Sequence, residues 1–252
     1  MTRSVILHQD ATFLAQATAA RLLMRLHELA QTQNRVDIVL TGGTVGIATL
    51  AEMSSSPLRM GVDWTVVHVW WGDERFVASD SPDRNEGQAT EALLSQLPIP
   101  PGNIHRMASA KGDTTAETGA VAYANELSQA VPGEVTPFFD VLLLGMGPDG
   151  HVASLFPEHP TALTSGVVVA VHDSPKPPPT RISLTFDTIN RARQVWVVAA
   201  GEEKAPAVAR ALARVDPVAT PASAVRGTEK TLWLVDASAA ADIVVPPTGQ
   251  LT

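Results

Sequence analysis

The chain alternates short, β-branched apolar runs with longer Ala-rich amphipathic stretches, and this alternation constrains its fold more than any other feature. Several of the short runs are apolar throughout, as in the strands of a parallel sheet that is covered on both faces. Strands that alternate with helices at this spacing are joined by right-handed βαβ crossovers. The pattern therefore predicts an α/β fold, with an open, mostly parallel sheet and helices on both faces.

Seven strands and five helices are predicted from this pattern. The strands are expected at Val36–Leu40, Thr65–Trp70, Phe139–Leu144, Val167–Val171, Arg181–Phe186, Val195–Ala199 and Thr231–Val235. The helices are expected at Thr12–Gln31, Gly46–Met53, Glu86–Leu94, Thr114–Ala130 and Lys204–Leu212. The segment Ser174–Pro179 is interpreted as a rigid surface loop, and the tail Pro246–Gly249 is expected to be frayed. Residues 1–252 are therefore predicted to form a single domain.

The composition narrows the classes of function. The chain has no cysteine, and its seven histidines show no metal-ligand spacing, so we expect no metal and no other cofactor. A net charge of −8 disfavours sequence-independent binding to nucleic acid, which depends on Lys and Arg that neutralise phosphates. No apolar run approaches the ~18 residues of a membrane-spanning helix, and no signal-peptide pattern is present. We expect a cytoplasmic protein, a monomer or small homo-oligomer, that binds neither nucleic acid nor membranes.

Four loops that follow predicted strands carry glycine, charge or histidine, and open α/β sheets bind their ligands at this edge. In the first loop, Gly42, Gly43 and Thr44 precede a helix. Their backbone N–H groups and the helix dipole can hold an anion there. An ordinary tight turn is the alternative.

Two further loops carry positively charged side chains. The run Asp73-Glu74-Arg75 directly follows a predicted strand, and the planar guanidinium of Arg75 suits a phosphate or a carboxylate. Arg181 opens a strand, and Lys204 begins a helix, where a cation opposes the helix dipole. These cations point to an anionic ligand. Salt-bridged surface turns are the alternative.

The remaining loop, Gly145–His151, contains the spacing G-x-G-x-x-G. A dinucleotide-binding loop of this kind must open a long helix, but Pro157 and Pro160 limit any helix here to about two turns. His151 is expected at the start of that short helix, whose dipole favours a neutral imidazole that can act as a general base. Asp149 can orient the imidazole or a water, or cap the helix. A structural histidine is the alternative.

Taken together, these loops resemble the 6-phosphogluconolactonase family over most of the chain. The family pattern Gly-Gly-Ser/Thr between a strand and a helix matches Thr41–Thr44, and its Trp-Gly-Asp-Glu-Arg block matches Trp71–Arg75. Its signature Leu-Gly-x-Gly-x-Asp-Gly-His-x-Ala-Ser-Leu-Phe-Pro matches Leu144–Pro157. Further matches follow in order at Asp80-Ser81, Asn85, Arg181–Ser183 and Gly201–Lys204. The chain departs from the family at Val45-Gly46, where a proline is common, and Gly46 is expected to loosen that turn.

The resemblance implies hydrolysis of 6-phospho-D-glucono-1,5-lactone to 6-phospho-D-gluconate in the oxidative pentose phosphate pathway. His151 would take a proton from the attacking water, and Asp149 would support it. Binding of the phosphate and of the sugar acid would be shared, without a separate assignment for each residue, among Gly42, Gly43, Thr44, Asp73, Arg75, Arg181 and Lys204.

Two other functions on the same scaffold remain as alternatives. The related glucosamine-6-phosphate deaminases share the Gly-Gly-Thr and Asp-Gly-His elements. They differ after the histidine, where this chain has Val152–Pro157, and at Arg75, where they carry Tyr. A sugar-phosphate sensor would bind its ligand without turnover. Release of ammonia and turnover of lactone distinguish a lactonase, a deaminase and a sensor from one another.

The basic residues are concentrated in one part of the sequence. Residues 176–230 contain 9 of the 18 Lys and Arg residues and only 5 acidic ones, and they include Arg181 and Lys204. Phosphate binding depends on the local field of a cleft and not on the total charge. The acidic total is therefore compatible with a phosphorylated substrate.

Overall fold

In a computed structural model, the chain is described for residues 2–131 and 133–244, so the predicted frayed tail lies outside the described part. The strands are β1 (Thr2–His8), β2 (Val36–Leu40), β3 (Val67–Trp71), β4 (Asp73–Arg75), β5 (Val141–Gly145), β6 (Val168–Val171), β7 (Arg181–Leu184), β8 (Gln194–Ala199) and β9 (Lys230–Asp236). The helices are α1 (Ala11–Ala30), α2 (Gly43–Ser55), α3 (Asn85–Ala92), α4 (Ala116–Ala130), α5 (Phe186–Ile189) and α6 (Ala205–Ala213). None of the described helices is long and apolar enough to cross a membrane.

The main sheet has six strands in the order β1-β9-β8-β5-β2-β3, and every neighbouring pair is parallel. From β2 the chain moves to one side, to β3, and then returns to β5 on the other side. The order therefore reverses between β2 and β5, and a crevice for ligands opens outside such a reversal point. The loops after β2 and β5 meet there, where the Gly145 N–H donates to Thr41 Oγ1 at 3.1 Å.

Helices cover the main sheet on both faces, which explains why β5 is apolar throughout. In β5, Val141 and Leu143 pack with α1 and α2 in one core. The alternate residues, Leu142 and Leu144, pack with α4 and α6 in the other core. Successive side chains of a strand point to opposite faces, so this strand needs apolar residues at both. The predicted α/β fold with a mostly parallel sheet is confirmed.

A second, antiparallel sheet of three strands, in the order β4-β7-β6, lies beside the main one. The predicted strands that correspond to β6 and β7 belong to this smaller sheet. β4 begins two residues after β3 ends, at the charged run that the sequence suggested as a loop. Its register with β7 pairs Arg75 with Arg181 and Asp73 with Ser183.

All seven strands and five helices predicted from the alternating pattern are present, with ends within three residues of the prediction. The sequence interpretation missed β1, β4 and α5. β1 pairs only with β9 at the edge of the main sheet, and β4 is three charged residues long. Neither strand has the composition of a buried run, because an edge strand or a short strand beside a cavity does not need it.

Candidate active site

Eight of the nine predicted site residues line one cavity of about 220 Å³ at the carboxyl edge of the main sheet. Asp149 is the exception and lies behind His151. A larger depression of about 700 Å³ opens elsewhere, near Thr136 and Asp187, and contains none of these residues. In residues 2–131 and 133–244, no group of three or more His, Asp or Glu side chains is arranged to hold a metal ion. The residues that converge are Gly42, Gly43, Thr44, Asp73, Arg75, His151, Arg181 and Lys204.

His151 and Asp149 form a hydrogen-bonded pair, with Nδ1 and Oδ1 2.6 Å apart. Burial raises the pKa of Asp149, but the hydrogen bond with His151 and the charge of Lys176 outweigh it and hold this pKa below its ordinary value. An ionised Asp149 can only accept, so Nδ1 of His151 carries the proton that it donates. Nε2 is therefore the nitrogen that can take a proton. The Phe156 ring, 4.5 Å from the imidazole between centroids, packs against it.

The expected helix after Gly150 is absent, so the prediction that its dipole acts on His151 is wrong. Val152 instead forms isolated bridges with Met146 and Leu155. Ala153 has φ of 49°, a left-handed conformation that interrupts any helix. The tautomer of His151 is set by its carboxylate partner and not by a helix end.

The small sheet brings the predicted charged residues to one face. Alternate residues of a strand share a face, so Asp73 and Arg75 of β4 lie on the same side as Arg181 and Ser183 of β7. Arg75 and Arg181 are directly opposite each other across the two strands. Like charges in this position repel, which makes the face favourable for an anion.

Glu74 points to the opposite face, and its role is structural. Its carboxylate accepts from the backbone N–H groups of Asn85 at 2.7 Å and Glu86 at 2.9 Å, at the start of α3. Burial raises the pKa of Glu74, and the charge of Arg84 opposes that change. Glu74 thus caps α3 and fixes β4 to it, while its neighbours in sequence face the cavity.

Arg75 and Lys204 supply positive charge that the described protein does not neutralise by a close ion pair. Neither has a carboxylate within 4 Å among the residues that the structure describes. Arg75 uses Nη1 to donate to the Asp83 carbonyl at 2.5 Å. Burial lowers the pKa of Lys204, and the charges of Glu203 and Asp236 oppose this. The salt-bridged alternative for Lys204 is therefore not what the structure contains.

Arg181 lies in the cavity wall, but most of its donors bind the proline-rich loop. Nε donates to the Pro178 carbonyl at 3.1 Å, and Nη2 donates to the carbonyls of Lys176 at 3.0 Å and Pro177 at 3.2 Å. Nη1 is 3.9 Å from Asp73 Oδ2. Arg181 thus holds a loop in place and leaves one guanidinium nitrogen for the cavity.

The first glycine loop forms the start of α2. Gly42 is the N-cap, and Gly43 has φ of 78°, which favours glycine. Asn85 fixes this loop from behind: its Nδ2 donates to the Asp73 carbonyl at 2.8 Å, and its Oδ1 lies where a Cβ on Gly42 would come within 1.9 Å. Gly46, expected to loosen the turn, is instead buried, with the Thr41 carbonyl 2.7 Å from where its Cβ would lie.

Ser154 and Lys176 are two residues of the site that the sequence interpretation missed. Ser154 is fully buried and donates from Oγ to Asp73 Oδ2 at 2.6 Å, which orients that carboxylate. Ser154 belongs to the signature that follows His151, so this motif could have identified it as a site residue. Lys176 lies in the segment that was interpreted as a surface loop, yet its Nζ is 3.4 Å from Asp149 Oδ1.

Comparison with known proteins shows which family the chain resembles. Residues 9–233 match the family model described as glucosamine-6-phosphate isomerases/6-phosphogluconolactonase. A 6-phosphogluconolactonase of Streptomyces coelicolor is 46% identical over 248 residues, which cover 96% of this chain and 95% of that one. A 6-phosphogluconolactonase of Mycobacterium tuberculosis is 44% identical, with 96% and 99% covered. The solved 6-phosphogluconolactonase of Trypanosoma brucei is 29% identical, with a TM-score of 0.85 over 96% of this chain and 99% of that one.

The chain belongs to the glucosamine-6-phosphate isomerase/6-phosphogluconolactonase family, a group of α/β proteins with the fold described above. Within this family it falls in the 6-phosphogluconolactonase branch, a branch of enzymes, as the identities of 44% and 46% indicate. The resemblance identified from the sequence motifs is thereby confirmed.

Proposed function

We propose that this protein hydrolyses 6-phospho-D-glucono-1,5-lactone to 6-phospho-D-gluconate, with His151 as the general base. The observation that carries the proposal is the 2.6 Å contact between His151 and Asp149, set in a cavity that also contains Arg75 and Lys204. A base beside unneutralised cations suits a phosphorylated substrate that reacts with water. The names of the relatives at 44% and 46% identity agree with this activity.

The phosphate is assigned to Arg75, Lys204 and the start of α2. Arg75 and Lys204 have no close ion pair among the described residues, and the N–H groups at Gly42, Gly43 and Thr44 are at the positive end of a helix dipole. Arg181 contributes mainly by holding the loop that carries Lys176.

The catalytic cycle uses both protonation states of His151. Nε2 takes a proton from a water, whose oxygen attacks the lactone carbonyl carbon and forms a tetrahedral oxyanion. The oxyanion collapses, the bond from this carbon to the ring oxygen breaks, and Nε2 returns the proton to the leaving oxygen. The acid that results loses its proton to solvent at neutral pH. Asp149 stabilises the imidazolium formed between the two transfers.

Turnover of the lactone is the direct test of the proposed activity. We expect the wild-type chain to form 6-phosphogluconate from freshly made lactone well above the spontaneous rate, measured at each enzyme concentration against a matched blank. Glucosamine 6-phosphate should release no ammonia. A rate no higher than the blank would contradict the proposal, and ammonia release would favour a deaminase.

Asp149→Asn tests whether the carboxylate supports the imidazolium. We expect kcat to fall about 10- to 100-fold, because a hydrogen bond to a charged group contributes ~1.5–3 kcal/mol. KM should change little, since Asp149 lies behind His151 and outside the cavity wall. Asp173→Asn, at an exposed carboxylate nearby, is the matched control and should keep wild-type kinetics. Equal kcat for Asp149→Asn and the control would remove Asp149 from the mechanism.

A further inference from the structure

Lys176 contacts both members of the His151–Asp149 pair and has no role in the proposed mechanism. Its Nζ is 3.4 Å from Asp149 Oδ1 and 3.3 Å from Nδ1 of His151. Nδ1 already carries the proton that it donates to Asp149, so the ammonium cannot donate to that nitrogen. Lys176 and His151 therefore share one carboxylate, and the ammonium charge lies directly beside the imidazole nitrogen.

The backbone around Lys176 is held independently of its side chain. The Lys176 carbonyl accepts from Arg181 Nη2 at 3.0 Å and from Ser174 Oγ at 3.0 Å, and its N–H donates to Ser174 Oγ at 3.3 Å. Arg181 also binds the carbonyls of Pro177 and Pro178. The loop thus presents the Lys176 side chain from a fixed position, and a substitution of that side chain leaves these contacts in place.

Two opposite charges contact the His151 imidazole. The Asp149 carboxylate oxygen lies 2.6 Å from Nδ1, and the Lys176 ammonium lies 3.3 Å from the same nitrogen. Arg181 also lies against the Phe156 ring, with Cζ 5.6 Å from the ring centroid. The other charged groups that line the cavity are Asp73, Arg75 and Lys204. Of the cations, Lys176 is the one in direct contact with the pair.

We propose that Lys176 is a positioning residue that holds the Asp149 carboxylate beside Nδ1 and places a positive charge against the imidazole, which opposes formation of the imidazolium. The inference rests on the proposed function for its catalytic meaning. Without the ammonium, the carboxylate would interact with the imidazole alone, and the imidazolium would become more favourable. The base would then be protonated over a larger part of the working pH range.

The test compares Lys176→Met with Lys176→Arg in the full chain. The pH dependence of kcat/KM reports the pKa of the free enzyme's base. For Lys176→Met we expect its acid limb to move to higher pH by about one unit, the size of effect that a neighbouring charge produces. Lys176→Arg keeps the charge and should retain the wild-type profile. Lys111→Met, at an exposed lysine that takes no part in these contacts, is the matched control.

An NMR titration of the His151 ring gives a readout that does not need turnover. Signals are assigned by their loss in His151→Gln, and the ring in Lys176→Met should titrate at higher pH than in wild type, by the same shift as the acid limb. If the wild-type chain does not hydrolyse the lactone, the proposed function fails, while the titration still decides the contact between Lys176 and His151. Lys176→Gln replaces Lys176→Met if the latter does not fold.

The proposal is overturned if the acid limb and the ring titration are unchanged in the neutral variants, even if kcat falls. It is also overturned if Lys176→Arg shifts them as far as Lys176→Met, since the charge would then not be the cause. A parallel shift in the neutral variants, reversed by arginine, supports it.

Discussion

His151→Gln should lower kcat by about 10²- to 10⁴-fold and leave KM close to the wild-type value, because a positioned general base contributes this much to proton transfer. Glutamine fills a similar space and can still contact Asp149, so the cavity should keep its shape. The loss reflects the missing proton acceptor at Nε2, through which both proton transfers of the proposed mechanism pass. Initial rates are measured with freshly made lactone, and the spontaneous hydrolysis is subtracted.

His27→Gln is the control for this experiment, since His27 lies on α1, away from the cavity, and bonds the Gly61 carbonyl. It should retain wild-type kinetics. Thermal unfolding of both variants shows whether they are folded. A folded His151→Gln with kcat within a few-fold of wild type would exclude His151 as the base and would leave the cavity as a binding site for the substrate.

Removal of both unneutralised cations, in the double variant Arg75→Met/Lys204→Met, should reduce kcat/KM for the phospholactone by about 10²- to 10⁴-fold. Each cation that bonds a charged ligand group contributes ~1.5–3 kcal/mol, and ~1.4 kcal/mol corresponds to a factor of ten. The loss should appear mainly in KM, because His151 and Asp149 are unchanged. Steady-state kinetics over a range of lactone concentrations separate the two constants.

The unphosphorylated glucono-1,5-lactone shows which part of the substrate these cations meet. If they bind the phosphate, the double variant should lose little activity on this poorer substrate. A loss of similar size on both lactones would place the cations at the sugar acid instead. Lys111→Met/Arg226→Met removes two exposed cations and is the charge-matched control.

The sequence was sufficient for five of the six strands of the main sheet because its signals are local. A mostly apolar run such as Val36–Leu40 indicates a buried strand by itself, and the structure places that strand at these same residues. The helix predicted after Gly150 is absent for the opposite reason, because the local conformation there depends on contacts and not on the local pattern of residues. The spacing allowed a short helix there, but Val152 forms bridges with Met146 and Leu155, and the left-handed Ala153 interrupts a helix.

The sequence by itself determined the α/β fold, the loops at the sheet edge and the closeness of His151 to Asp149, which are two residues apart in one glycine turn. Only the tertiary structure decided which charges meet. The register of β4 with β7 sets Arg75 opposite Arg181. Contacts over 25 and 27 residues bring Lys176 to His151 and Asp149. Such pairings depend on how separate elements pack, and no local periodicity of the sequence predicts them.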